Sequence, residues 1–217
     1  MKFVYEHQKK LYAKLDLRKG FVTKKELNDA NIRKDEVYRL CKSGDLKWFC
    51  SGVYKVKSGK IDIEKLIKAI IPDAVFCLRY SLKQYENNEK VEYPEEIRER
   101  KRTVYDVAVT WDVSPSKLKQ IPGVKINYFR YHKKYKDIGL TTSINSQLPF
   151  YDYERTVCDY FCRYKELGLS ERSYKEVAYK YNRIATAADK QKLKLYCEQL
   201  RLNDEVKARI YKHILNR

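Results

Sequence analysis

The chain has 217 residues, enough for one or two packed domains, and 43% of them are hydrophobic with only 7 Gly and 5 Pro, which excludes a disordered or fibrous protein. The formal net charge is +18, and residues 1–60 hold 16 Lys and Arg against 7 Asp and Glu. Such a local excess of positive charge is typical of phosphate binding, although solubility or an acidic partner protein would use it equally well.

Two features of the sequence bear on its compartment. Met1 to Leu15 carry charges throughout, so this segment does not resemble a secretion leader. The longest apolar stretch, Ala69 to Leu78, contains Pro72 and Asp73 and is far shorter than the about 20 residues of a membrane span. We therefore expect a cytoplasmic protein with no membrane partner and with its six cysteines reduced.

The first sixty residues predict a winged helix-turn-helix. Apolar residues recur at helical spacing from Phe3 to Leu15, and Thr23 with Glu26 forms a capping box that begins a second, short helix. A third helix is predicted from Arg33 to Ser43. Two strand-like runs that follow it predict a β-hairpin, Leu46–Phe49 and Gly52–Lys57. Helix, short helix, turn, helix and hairpin is the order of a winged helix.

This order predicts a sequence-specific site for double-stranded DNA in residues 1–61. The third helix would enter the major groove, the start of the second would face a phosphate, and lysines of the wing would position the protein without reading sequence. The alternative interpretation is an ordinary solvated helix face. The predicted DNA-binding residues are Thr23, Lys24 and Lys25 on the second helix, Arg33, Lys34, Asp35, Tyr38, Arg39 and Lys42 on the third, and Lys47, Lys55, Lys57 and Lys60 on the wing.

Beyond residue 61 we predict a helical connector with a charged linker over 62–102 and a C-terminal domain over 103–217. Asp62 would cap one helix, and another would cover Ala74 to Tyr85. The C-terminal domain is predicted to have strands within 103–130, namely Thr103–Trp111 and Val124–Phe129, a short helix from Ser114 between them, and helices over 152–217. The predicted fold class is α+β, a winged helix-turn-helix followed by a mixed α/β domain that ends in a helical region.

No pattern in the sequence predicts catalysis, a metal or a cofactor. Cys158 and Cys162 lie one helical turn apart, but a structural zinc site needs four ligands and no second Cys or His pair is near. Asp152, Glu154 and Asp159 cluster at a helix start, where they either mark an active site or, as we favour, complement the helix dipole. Phosphate loops rich in glycine and the Gly-x-Ser-x-Gly pattern are absent. We expect that the protein is not an enzyme.

Tyrosine is abundant in the C-terminal helices. Tyrosines are enriched in the cores of protein interfaces, but they also fill amphipathic cores, so the sequence leaves both interpretations open. The tyrosines in question are Tyr160, Tyr164, Tyr174, Tyr179, Tyr181 and Tyr196.

Two segments resemble a known protein family. Residues Gly20 to Lys57 contain G-F-V-T-K-K-E-L, I-R-K-D-E-V-Y-R-L-C-K-S-G-D-L-K and S-G-V-Y, and they resemble the N-terminal winged helix of AbiEi-type antitoxins. Tyr153 to Asp159 is similar to the Glu-Arg-Thr-hydrophobic-x-Asp segment that opens the helical part of the same family.

The resemblance implies the antitoxin of an abortive-infection toxin-antitoxin system. It would repress its own operon through the N-terminal domain, and its C-terminal domain would counter a nucleotidyltransferase-fold toxin functionally, with or without direct contact. One alternative is a stand-alone winged-helix regulator whose C-terminal domain binds a ligand or a protein. A DNA-targeted nuclease would need a further carboxylate beside Asp106 and Asp112, and Val124 to Phe129 supplies none.

Overall fold

The computed structural model describes residues 6–57, 59–89, 104–118, 121–143 and 146–216. The chain forms two compact units, Met1–Pro72 with Pro115–Gly123 and Asp73–Ser114 with Val124–Arg217. Both units combine helices with strands of a sheet, which confirms the α+β class. Residues 90–103, with most of the predicted charged linker, lie outside the described residues, as does the start of the predicted first helix at Phe3.

The first unit contains the helices and the hairpin that the sequence predicts, and one further strand. Its elements are α1 Glu6–Lys14, β1 Phe21–Thr23, α2 Lys24–Asp29, α3 Lys34–Lys42, β2 Leu46–Cys50, β3 Val53–Val56 and α4 Ile63–Ile70. The three strands form an antiparallel sheet of order β1-β3-β2. This is the element order expected of a winged helix, whose identity stays a prediction. The sequence did not predict strand β1, because three residues are too few to show alternation.

Helix α2 begins at the predicted capping box. Thr23 Oγ1 accepts a hydrogen bond from Glu26 N at 3.2 Å, and Glu26 Oε2 accepts one from Thr23 N at 2.8 Å. Burial alone would raise the pKa of the Glu26 carboxyl, but hydrogen bonds from Lys19 and Thr23 outweigh it and lower that pKa. The carboxylate therefore stabilises the fold above its unfolded pKa, and this contribution is lost as the pH falls through the folded pKa.

The turn between α2 and α3 is fixed by one left-handed residue and one buried one. Asn31 has a φ of 56°, a conformation that asparagine tolerates better than most residues. Ile32 is buried in a core that also contains residues of α1, α3 and the sheet. The helix pair is thereby held by a cluster made up of Leu11, Val22, Leu27, Ile32, Leu40, Leu46 and Val56.

Gly20 joins the start of β1 to the segment that leaves the hairpin. Its φ is +76°, and a Cβ at this position would overlap the Lys60 carbonyl group. Gly20 O accepts a hydrogen bond from Val56 N at 3.1 Å. Only glycine fits both the conformation and the space.

The second unit is built on a mixed five-stranded sheet of order β6-β5-β4-β8-β7. In chain order its elements are β4 Val75–Phe76, α5 Arg79–Glu89, β5 Val104–Thr110, β6 Lys125–Tyr131, α7 Lys133–Lys136, β7 Leu140–Thr142, β8 Pro149–Tyr151, α8 Tyr153–Arg163, α9 Glu171–Ile184, α10 Ala187–Gln199, α11 Asp204–Ile210 and a π-helical turn, Tyr211–Leu215. The helix after β5, α6 Pro115–Leu118, belongs to the first unit. Strands β5 and β6 are parallel, and β4 is antiparallel to β5.

The single helix predicted from Ala74 to Tyr85 is wrong, because the chain forms a strand there before a helix begins. Val75 and Phe76 pair with Ala108 and Val107 of β5. Leu78 then has a φ of 49°, which no helix accommodates. The predicted connector 62–102 is accordingly divided, since α4 lies in the first unit whereas β4 and α5 lie in the second.

The helices after residue 152 match their predicted places, and their tyrosines are mostly core residues. Tyr160, Tyr164, Tyr174 and Tyr181 are buried in the cluster that these helices form with the sheet. Of the other two, Tyr179 is exposed and Tyr196 is partly buried. Most of these tyrosines therefore fill the core and do not form a surface for a partner. No helix in the described residues is both long and apolar enough to span a bilayer.

The capping box provides a direct test of this local structure. We expect Thr23→Ala to lower the free energy of unfolding by about 0.5–2 kcal/mol, because the Glu26 amide loses its acceptor. Urea denaturation followed by circular dichroism measures this change. Thr23→Ser keeps the hydroxyl group and should stay close to the unchanged protein; an equal loss in both variants would show that the cap hydrogen bond is not the cause.

Candidate nucleic-acid interface

The exposed face of α3 carries the residues predicted to read DNA. Lys34, Asp35, Arg39 and Lys42 are exposed, and Tyr38 has 69% of its surface in solvent. The opposite face is held by Leu40, which is fully buried. The amphipathic pattern therefore positions one polar, largely cationic stripe along nine residues of helix.

Asp35 is the acidic residue of this stripe and contacts its two arginines. Its Oδ2 lies 3.2 Å from Arg33 Nη2 and 3.9 Å from Arg39 Nη2. Exposed ion pairs of this kind contribute little to stability, so the guanidinium groups can exchange the carboxylate for another anion. The structure thus places Asp35 in contact with two arginines, which the sequence pattern did not distinguish from contact with DNA.

The start of α2 is adjacent to the tip of the β2–β3 hairpin. Lys24 N donates a 2.7 Å hydrogen bond to Gly52 O, and Glu26 N donates to Thr23. These two amides already have acceptors, so they do not offer the phosphate site suggested by the sequence. The ammonium groups of Lys24 and Lys25 are exposed at the same end of the helix.

Two predicted wing lysines lie opposite each other in the hairpin. Lys47 of β2 and Lys55 of β3 are cross-strand partners, and both are exposed. Like charges at directly opposed positions repel and destabilise a sheet. Neither lysine forms an ion pair with any residue that the structure describes. An anion bound near both ammonium groups would reduce this repulsion.

Lys57 and Lys60 lie at the other end of β3. Lys57 follows the strand and its amide donates to Asp45 O at 3.0 Å, just beyond α3, whereas the hairpin turn is formed by Ser51 and Gly52. Both lysines are exposed. The predicted wing group is therefore spread along the whole strand instead of concentrated at its tip.

The sequence-based prediction missed an exposed tryptophan in the hairpin. Trp48 pairs with Tyr54 across the sheet and has 65% of its surface in solvent, although strict alternation after Leu46 predicts that it points inward. Its strand, β2, lies at the edge of the sheet, so the core does not cover this position. Trp48 is therefore an exposed aromatic ring at the sheet edge, on the face of the strand opposite to Lys47.

The acidic cluster at the start of α8 has three separate structural roles. Asp152 caps the helix by accepting from Arg155 N at 2.8 Å. Glu154 accepts from Lys192 Nζ at 2.9 Å, and Asp159 pairs with the buried Arg155 at 3.1 Å. Lys192 also pairs with Asp152 at 3.0 Å, so Asp152 and Glu154 share this cation. Of the three carboxylates, Asp152 thus has the helix-start role that the sequence suggests, and whether the cluster has a catalytic role stays untested.

The remaining candidate chemistry is also accounted for by packing. Buried Asp106 accepts two hydrogen bonds of 2.7 Å from the Arg79 guanidinium and one of 2.8 Å from Asn127. A hydrogen bond with Cys197 and burial raise the pKa of the Cys158 thiol, which disfavours the thiolate. Within the described ranges no group of three or more His, Cys, Asp or Glu side chains could hold a metal ion.

Comparison with protein-family models and with curated proteins found no match for this chain. The resemblance to AbiEi-type antitoxins therefore stays a prediction from the two segments quoted above.

Proposed function

We propose that the protein is a sequence-specific transcriptional repressor that binds double-stranded DNA through the exposed faces of α3 and the β2–β3 hairpin. The observation that carries the proposal is the set of exposed cations on these elements, with Asp35 as the carboxylate among them. Phosphate neutralisation would relieve the repulsion between Lys47 and Lys55, and the base edges of the major groove would accept hydrogen bonds from α3.

The narrower proposal is that this repressor is the antitoxin of an AbiE-like pair and acts in the cytoplasm. It rests on the resemblance of Gly20 to Lys57 and of Tyr153 to Asp159 to that family. The first unit would then repress the operon, and the second would counter a nucleotidyltransferase-fold toxin. A stand-alone regulator remains the competing proposal, favoured by a pocket in the second unit that is described below.

A reporter gene placed behind the upstream region of this protein's own gene tests the broader proposal. We expect repression by the full chain and its loss in Arg39→Ala. Co-expression with the product of an adjacent nucleotidyltransferase reading frame tests the narrower one. Repression without protection from that product would reject the antitoxin role and leave the repressor role intact.

The paired lysines predict a specific change in salt dependence. For Lys47→Gln with Lys55→Gln, we expect the slope of log affinity against log salt to decrease by about 2, because two phosphate contacts are lost. Fluorescence anisotropy over a range of salt concentrations measures the slope. Lys194→Gln with Lys212→Gln removes the same charge from exposed positions of the second unit and should leave the slope unchanged. Equal slopes in the two double variants would exclude the hairpin from the interface.

A further inference from the structure

The second unit contains a polar pocket that DNA binding does not use. It has a volume of about 340 Å³ and lies between β6, α8 and the segment after α10. This volume is within the range of about 300–1,000 Å³ typical of small-molecule sites. Its apolar wall includes Leu200 and Leu202, and its lining carries three arginines.

A buried ion pair, Arg155 with Asp159, forms the inner end of the pocket, and some of its polar atoms have no hydrogen-bond partner. Arg155 Nε binds Asp159 Oδ1 at 3.1 Å, and Arg155 Nη1 donates to the carbonyl groups of Tyr135 and Ile138. Three residues that line the pocket each have a buried polar atom without a hydrogen-bond partner, namely Arg155 Nη2, Asp159 Oδ2 and Tyr131 Oη. Such atoms are costly unless something binds them.

These unpartnered atoms define what a ligand must offer. Arg155 Nη2 needs an acceptor, and Asp159 Oδ2 needs an N–H or O–H donor. Because Arg155 and Asp159 form one ion pair, a single ligand that contacts both would present an acceptor and a donor close together. The edge of a nucleobase has this pattern of adjacent acceptor and donor atoms.

The outer part of the pocket is cationic and aromatic. Arg163 has its guanidinium 4.5 Å from the centre of the Tyr131 ring and pairs with the exposed Glu166 at 2.8 Å. Arg130 has its guanidinium 5.4 Å from the centre of the Trp111 ring and donates to Trp111 O at 3.2 Å. Both guanidinium groups are held in place and retain further N–H donors, the arrangement suited to a phosphate.

We propose that this pocket binds a mononucleotide. The edge of its base contacts Arg155 and Asp159 at the inner end, its ring packs on the apolar wall, and its phosphate contacts Arg130 and Arg163. A nucleotide site is separate from the proposed DNA-binding function. Nucleotide binding is measured without DNA, so its result does not depend on whether the protein is a repressor.

Trp111 provides a probe because it lines the pocket and is 60% exposed. Only two tryptophans are present, so a full-length Trp48→Phe protein reports from Trp111 alone. Titration with AMP, GMP, CMP and UMP should give a saturable fluorescence change with at least one of them, reproduced by calorimetry. The corresponding nucleoside should bind about tenfold or more weakly, because it lacks the charge-assisted contacts of the phosphate.

The arginine variants separate a phosphate contact from a general change in the pocket. Arg163→Gln and Arg130→Gln should each weaken nucleotide binding about tenfold while leaving nucleoside binding within about twofold. Arg172→Gln, an exposed arginine of α9 outside the pocket, is the matched control and should change neither. Unchanged circular dichroism shows that each variant is folded. The proposal is overturned if none of the four nucleotides binds, if inorganic phosphate alone binds as tightly, or if the folded pocket variants lose nucleoside and nucleotide binding equally.

Discussion

Arg155→Ala should lower the free energy of unfolding of the second unit by about 3–5 kcal/mol, because it leaves the Asp159 carboxylate buried without its cation. The guanidinium also donates to the Tyr135 and Ile138 carbonyl groups, and it lies 4.4 Å from the centre of the Tyr151 ring. All of these contacts are lost together in the alanine variant. Urea denaturation followed by circular dichroism measures the loss.

A paired replacement separates the lost ion pair from the lost packing. Arg155→Met with Asp159→Leu removes both charges and keeps most of the apolar volume, so it should recover much of the stability that Arg155→Ala loses. Arg172→Gln, an exposed arginine on α9, should have no measurable effect. If the single and double variants are equally unstable, the uncompensated charge of Asp159 is not the cause of the loss.

The second large effect concerns DNA binding by α3. We expect Arg39→Ala with Lys42→Ala to reduce affinity for the cognate duplex about 100-fold, since a base contact and a phosphate contact are lost together. The exposed positions of both side chains predict that the fold is unaffected. Fluorescence anisotropy with a labelled duplex gives the affinity, and thermal unfolding checks the fold.

The control for this variant removes equal charge elsewhere. Arg183 and Lys194 are exposed on the second unit, and replacing both with alanine lowers the net charge by the same amount. We expect this change to weaken DNA binding only slightly through the long-range field. Comparable losses in the two variants would mean that total charge, and not the α3 surface, determines affinity.

Local signals made the first unit predictable from sequence. The capping box predicts the start of α2, and the two strand-like runs around Cys50 to Gly52 predict β2 and β3. Asp62 caps α4 by accepting from Lys65 N at 3.1 Å, as its position before an apolar helical pattern predicts. All of these contacts join residues close in sequence, so local sequence patterns are sufficient to predict where these elements begin.

The sheet of the second unit was harder to predict because its pairings join distant segments. Phe76 pairs with Phe150 across more than seventy residues, and β4 is only two residues long. Strands β7 and β8 are three residues each, too short to show alternation. The sequence of residues 131–151 therefore predicted neither strand.

The candidate site was predictable in its residue types but not in its contacts. Helical periodicity correctly places Arg39 and Lys42 on the exposed face of α3. It cannot show that Asp35 contacts Arg33 and Arg39, because ion pairs depend on side-chain conformation. The exposure of Trp48 depends on the position of β2 at the sheet edge, a property of the sheet as a whole.

The affinity of the full-length protein for a duplex from its own upstream region, compared with a scrambled duplex of equal length, tests the central proposal most directly. At about 0.15 M salt we expect the native duplex to bind at least about 10³-fold more tightly, as specific regulators do. Arg39→Ala with Lys42→Ala should remove most of that difference. Equal affinity for both duplexes in the unchanged protein would contradict sequence-specific recognition and leave only a basic surface that binds any nucleic acid.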